Sequence, residues 1–378
     1  MKSTASWVTA LSVLLAWGAV SCSAPDAKSA ATPPASAGSS SPALATTVAV
    51  CLTAQPADWS TILSKTRVPL AGIVFFGTQA IDPANGLAYG YYHAGTKYGV
   101  ASVELATGRV RIISNISGKA AGISWMSVSD PWLAWVQGDS QTNFGNWSIH
   151  VWNRLTHELH QIATSKLPDG SFLTGQLTFP VVGPGYVAWS EPVSAITAEQ
   201  RVYQFATHET QVLDSGRLSS PVLAGPYLAW AKAAASGSDA AFVLVDAATL
   251  ARAQTPPALS QPRPVAYLAG SPTYLVWTQG SSNFVVVSVR DHSQTTYKMP
   301  QDGKHAVQFP AIAGHFVIWW SGIVETVLDL STGSAFDVPD GAAAGAGNTI
   351  VISGARGNVP TLSTLHISLD TTIPKCGG

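Results

Sequence analysis

Charge is what this sequence lacks most. Asp, Glu, Lys and Arg make up 11% of the 378 residues, less than half of the usual quarter. The 20 Lys and Arg are offset by 21 Asp and Glu, giving a formal net charge of -1, and the basic residues form no cluster. That excludes the electrostatic footprint of a nucleic-acid binder and the polybasic patch of a protein held on a membrane by charge. The surface must instead be covered by Ser, Thr, Gln, Asn, Ala and Gly. Long apolar runs are also missing. Beyond the first twenty or so positions no stretch reaches ~18 uninterrupted apolar residues, so no membrane-spanning helix is expected. Signatures of catalysis are scarce as well. No Ser stands in a Gly-x-Ser-x-Gly elbow, and Asp and Glu are scattered without a close pair for acid–base work. His157-Glu158-Leu159-His160 offers two His where a zinc site needs three or four convergent ligands. Thr156-His157-Glu158 also matches Thr207-His208-Glu209 and Thr332-Gly333-Ser334, which reads as a recurring hairpin turn. No metal is expected.

What is present begins at the N-terminus. Lys2 precedes an apolar run over residues 7–20, which ends in Ala19-Val20-Ser21-Cys22. The length is that of a signal peptide rather than an anchor. The ending resembles the lipobox of bacterial lipoproteins, which implies that Cys22 is lipidated and becomes the first mature residue; ordinary secretory cleavage is the alternative. Residues 23–45 are rich in Ala, Ser, Pro and Thr and carry little that could be buried, so they read as a flexible tether. Residues 46–378 are then the folded domain, held outside a bacterial membrane by lipid alone. With Cys22 assigned, Cys51 and Cys376 remain, one at each end of that domain. In an exported protein they are expected to pair.

The domain repeats. Ser129 to Trp135, Gly183 to Trp189, Gly225 to Trp230, Gly270 to Trp277 and Ala313 to Trp319 each read as a turn, an aromatic, aliphatic residues and Trp. The five Trp recur at roughly 40–50 residues, the period of propeller blades. Behind each Trp come a polar loop, a β-rich run, a tight turn and a last short strand, and ahead of it lies a short apolar piece. Two weaker units flank the five, with Tyr89 and Ile352 in place of Trp. The expected fold is therefore all-β, a seven-bladed β-propeller of four-stranded antiparallel blades, with six or eight blades as the alternatives. The Trp strand, apolar on both faces, is expected to be an inner strand, sandwiched between neighbouring blades. Asp58 reads as the cap of one short helix over residues 56–66, ahead of Trp59, Ile62 and Leu63.

These units are similar to TolB-type propellers of bacterial exported proteins. The shared cues are the aromatic-aliphatic-Ala-aromatic second strand and the turns Glu104-Leu105-Ala106-Thr107-Gly108 and Asp329-Leu330-Ser331-Thr332-Gly333. The resemblance covers about residues 50–376 and implies a fold that hosts binding proteins, hydrolases and lyases alike. Val110-Arg111-Ile112 and Ala335-Phe336-Asp337 follow those turns, where quinoprotein propellers carry a strand-ending Trp, so no quinone or other cofactor is expected.

Trp135, Trp189, Trp230, Trp277 and Trp319 are expected to pack between blades. The second residue after each is polar: Gln137, Glu191, Lys232, Gln279 and Ser321, with Tyr91 in the first unit. These six are the candidate ligand-facing ring around one channel mouth, at the base of long loops. The plain alternative is that polar residues end any strand at solvent, with Glu191 and Lys232 pairing weakly. The function expected is a non-catalytic, monomeric, surface-tethered module that binds or scaffolds a protein or glycan partner of the envelope. The alternatives are a hydrolase or lyase of polysaccharide or cell-wall material, and a structural subunit of an envelope complex. Exposed aromatics at the mouth, such as Tyr91, Tyr98 and Phe144, would favour binding.

Overall fold

A computed structural model describes residues 46–376 apart from 117–121, 139–144, 174–177, 235–236 and 340. The expected signal peptide and tether, Cys22 and Phe144 lie outside the described residues. The described chain is nearly all strand, in six sheets. Four strands in antiparallel succession recur: Phe75–Asp82, Leu87–Ala94, Lys97–Glu104 and Val110–Asn115 form the first set, and Gly122–Ser129, Trp132–Gly138, Trp147–Asn153 and Leu159–Thr164 the second. The eight-stranded sheet is two such sets. They are joined where the end of Thr210–Leu218 pairs with Tyr227–Ala233, through Arg217 and Leu218 opposite Ala233 and Lys232.

The first strand of each set touches the first strand of the next. Ala342–Ala346, in the last set, returns to Phe75–Asp82 in the first. The sets are thus arranged around a closed ring. The Trp strands are second from the axis, each between neighbouring strands of its own sheet and covered by the adjoining sets. The innermost strands are the short apolar pieces ahead of them, among them Val222–Ala224 and Leu268–Gly270. Trp135, Trp189, Trp230, Trp277 and Trp319 are each at most 1% exposed, and each lies in a core shared with the preceding set. Trp277, for example, packs on Phe242 at 4.9 Å between ring centroids, and Trp319 packs on Phe284 at the same distance. Such aromatic pairs add about 0.5–1.5 kcal/mol each beyond the area they bury.

The turn between third and fourth strands explains the recurring Thr-Gly and Thr-His. Gly108, His157, His208, Leu250, His292 and Gly333 all have φ between 58° and 74°, and each donates its N–H to the carbonyl four residues back. The turn needs one residue in the left-handed region, which Gly enters freely and His at some cost. His157 and His208 therefore mark geometry rather than metal.

The N-terminal residues hold the outer edge. Thr46–Ala49 pairs in parallel with Gln294–Lys298, and Cys51–Leu52 with Ser334–Asp337. Helix Ala57–Lys65 follows, with Trp59 and Leu63 buried one turn apart against Phe316 and Phe336. The cap position is Pro56 (φ -56°, ψ 139°) rather than Asp58, which falls within the first turn, where a carboxylate suits the helix dipole. Asp58 accepts the N–H of Trp59, inside the first turn. Val68–Pro69 then supplies the outer strand of the last set, antiparallel to Val359–His366. A disulfide joins Cys51 to Cys376 across 325 residues, which points to an oxidising, extracytoplasmic compartment. Among the described residues no helix is long and apolar enough to cross a membrane.

Candidate functional site

Within the ring, four aromatic side chains from four sets meet. Trp125 and Phe179 have ring centroids 4.1 Å apart, and Tyr267 and Phe309 are 4.5 Å apart. These pairs come from neighbouring sets. Phe309 also lies 5.9 Å from Trp125 and 6.0 Å from Phe179, and those contacts join sets that are not neighbours. They can be made only across the middle of the ring. All four side chains are half-buried.

The backbone is bent to place them. Trp125 lies where the pairing of Gly122–Ser129 with Trp132–Gly138 slips between Ser124 and Met126. Phe309 lies in the corresponding slip between Gln308 and Ala311. A bulge of this kind re-aims one side chain. The φ values are 47° for Trp125 and 46° for Phe309, a region that costs a bulky residue about 1–3 kcal/mol and that clusters at functional sites. Phe179 is set by its neighbour Thr178, whose hydroxyl donates to the carbonyl of Ser190. Tyr267 is fixed by two bonds to Thr278: its N–H to the hydroxyl, and its carbonyl from the Thr278 N–H. Burial raises the pKa of the Tyr267 phenol, so it stays a hydrogen-bond donor at neutral pH.

The candidate ring of strand-exit residues lies at the same end, one strand further out. Tyr91 stacks on Phe75, with centroids 5.2 Å apart and planes at 29°. A Cβ on Gly77 would come within 2.3 Å of the Tyr91 ring, which is why a glycine stands there. Glu191 is buried, accepts the Trp189 indole N–H at 3.1 Å and pairs with Arg201 at 3.3 Å. Desolvation raises its pKa against the pull of Arg201. Lys232 reaches Asp214 at 2.5 Å, and Trp230 donates to the same carboxylate. Burial pushes the Asp214 pKa up, but the bonds from Lys232, the Ser215 N–H and Trp230 hold it below the usual value. The Glu191–Lys232 pair that the sequence allows is not formed, because each has a nearer partner. Ser321 is buried and accepts the N–H groups of Ile323 and Val324, closing its own turn. Gln137 and Gln279 are half-buried strand ends. Among the described residues no hydrogen bond or ion pair joins any two of the six. Tyr98, expected at the mouth, has a buried hydroxyl without a hydrogen-bond partner.

The aromatic quartet was missed in the sequence, although a signal for it exists. Trp125, Phe179, Tyr267 and Phe309 each stand ten residues ahead of the repeat Trp, at 135, 189, 277 and 319. The same offset gives Ser220 ahead of Trp230, Gln79 ahead of Tyr89 and Ala342 ahead of Ile352. One repeat position is therefore aromatic in four sets and small or amide in the others. Gln79 occupies a third bulge, between Thr78 and Ala80.

No protein-family model matches the chain, and no curated protein matches it in sequence. Solved structures do. A prolyl endopeptidase studied for inter-domain dynamics is 11% identical with a TM-score of 0.52, over 81% of this chain and 49% of its own. This chain thus spans about half the length of that protein. An uncharacterized protein from Listeria monocytogenes EGD-e is 12% identical with a TM-score of 0.49, over 71% and 81% of the two chains. An oligogalacturonate lyase in complex with manganese is 10% identical with a TM-score of 0.42, over 74% of each. The last two are reported as neighbours and carry no argument, and identities this low speak to fold alone. The fold of this chain is of the β-propeller type.

Proposed function

We propose that this chain is a seven-bladed propeller acting as a non-catalytic binding module, exported and tethered to the outer side of a bacterial membrane by lipidated Cys22 through residues 23–45. Its ligand is a protein or glycan partner of the envelope, and the binding surface is the end of the ring that carries the aromatic quartet. One observation carries the reading: Trp125, Phe179, Tyr267 and Phe309 converge across the axis, two of them on strained bulges. Aromatic faces with nearby amide and hydroxyl groups suit stacking on a sugar ring or packing around an apolar side chain. The blade count is supported by the closed ring of first strands, with the joined sheet divided at Leu218.

A glycan array and a pull-down from envelope extract, both with residues 46–378, test the proposal. Trp125→Ala and Phe309→Ala should each weaken capture about tenfold or more if rings of this kind are anchors. Capture that is equal in wild type and both variants would refute the site. Release of reducing ends from the captured glycan would replace binding by hydrolysis.

A further inference from the structure

At the opposite end of the ring lies a cleft of about 990 Å³, the upper end of the range for ligand-sized clefts (about 300–1,000 Å³). The starts of second strands and the ends of third strands build it, and helix Ala57–Lys65 closes one side. Its lining is unlike the rest of the chain. Lys65, Arg109, Arg111 and Arg154 are four of its eighteen lining residues, while the whole sequence has 20 Lys and Arg in 378. That is a concentration of about fourfold in a protein that otherwise spreads its charge thinly.

Two of the four are already satisfied. Arg109 pairs with Glu104, the only acid of the lining, and Arg154 holds Asp130 through two bonds of 2.7 and 3.0 Å. Arg111 and Lys65 form no ion pair among the described residues. The position of Arg111 follows from the register. Tyr89, Ser102 and Arg111 lie side by side across three strands of the first set, so all three face the second set. There the Arg111 guanidinium lies 5.8 Å from the centre of the Trp152 ring and donates to His157 Nε2 at 2.9 Å. The contact with the Trp152 ring holds the guanidinium in place, and the bond to His157 uses one of its five N–H donors. The rest remain for a ligand, in a fork that fits two oxygens.

We propose that this cleft is a second binding site, which takes an oxyanion (a carboxylate or phosphate carried by a compact ligand) on Arg111, with Lys65 on the helix side adding charge. The site is separate from the aromatic mouth and does not depend on it.

The test is calorimetric titration of the full chain at low ionic strength with two probes, inorganic phosphate and a uronic-acid trisaccharide. Saturable binding of either is expected, weakened about tenfold or more by Arg111→Gln and less by Lys65→Gln, as for loss of a charge-assisted fork and of a point charge. Arg356→Gln, the same charge loss on a distant hairpin, should leave it unchanged. Binding of phosphate alone assigns a phosphate ligand, and binding of the trisaccharide alone assigns an acidic glycan. Melting curves establish that each variant is folded, and Lys65→Gln carries the test if Arg111→Gln is not. The proposal is overturned if neither probe saturates below about 10 mM, or if Arg356→Gln weakens binding as much as Arg111→Gln.

Discussion

Glu325 is a carboxyl in the wrong solvent. It opens the strand Glu325–Asp329, opposite Trp320. The two-residue period of a strand turns it the same way as Val327, whose core includes Ile350, Ile352 and Leu365 of the last set. No described residue bonds its carboxyl, and burial pushes its pKa from 4.5 up to about 8. A raised carboxyl pKa costs the fold stability as pH rises through the interval between its unfolded and folded values. Below about pH 4.5 the group is protonated folded or unfolded and contributes nothing. Between 4.5 and 8 the unfolded chain ionises while the folded one does not, so stability falls by about 1.4 kcal/mol per pH unit. Carried to pH 8 the loss is at most about 5 kcal/mol, and since Glu325 is half-buried, water and relaxation around the charge bring the expected figure to about 3–5 kcal/mol. Glu325→Gln removes the titration and keeps the shape. Guanidinium unfolding of both proteins, with the disulfide oxidised, measures it at about pH 4 and about pH 8.5. The variant should match wild type at the lower pH and exceed it by about 3–5 kcal/mol at the higher. A gain of less than about 1 kcal/mol between the two would refute the placement of this carboxyl among apolar neighbours.

Other perturbations follow from the same contacts. His292→Gly should raise stability by up to about 1 kcal/mol, since its φ of 58° suits glycine; an unfolding midpoint that drops would show that the His side chain matters more than the strain. Trp277→Phe and Trp189→Phe differ in polar cost: the Trp277 indole N–H has no partner, whereas that of Trp189 is bonded to buried Glu191. Trp189→Phe should therefore cost about 1–3 kcal/mol more by denaturant titration, and equal losses would contradict this. Replacing Cys51 and Cys376 together by Ser should cost about 2–5 kcal/mol, read from the shift in melting temperature; no shift would mean that the strands around Cys51 hold unaided.

The repeat was legible because each Trp strand repeats one physical problem: a strand covered on both faces between neighbouring units. The Cys51–Cys376 pairing was legible from compartment and position. The first strands were legible as short apolar pieces ending in turns, such as those at Val222–Ala224 and Gln308–Ala313, but the bulges within some of them were not. Nor were Cys51–Leu52 and Val68–Pro69, whose pairing partners lie hundreds of residues away. The strand-exit residues show how far local polarity reads: Glu191, Lys232 and Ser321 end their strands in polar groups, and each has a partner close by. Trp125 and Phe309 were passed over because an aromatic in a strand reads as core, and only a bulge turns it toward the axis. The cationic cleft joins residues as far apart in sequence as Lys65, Arg154 and His366, so no local pattern announces it.

The outer strand of the last set comes from the other end of the domain: Val68–Pro69 lies against Val359–His366. The circle of sheets is therefore shut by the earliest residues of the domain meeting the latest. As the chain is made or threaded across a membrane, each intermediate set can form as it emerges, but the last stays one strand short until both ends are free to meet. Ring closure is thus a late event with a large loop entropy to overcome. Until it happens, the edge of Val359–His366 is open to pairing with another chain. A chain that began after Pro69 would keep that edge permanently and would be expected to associate through it.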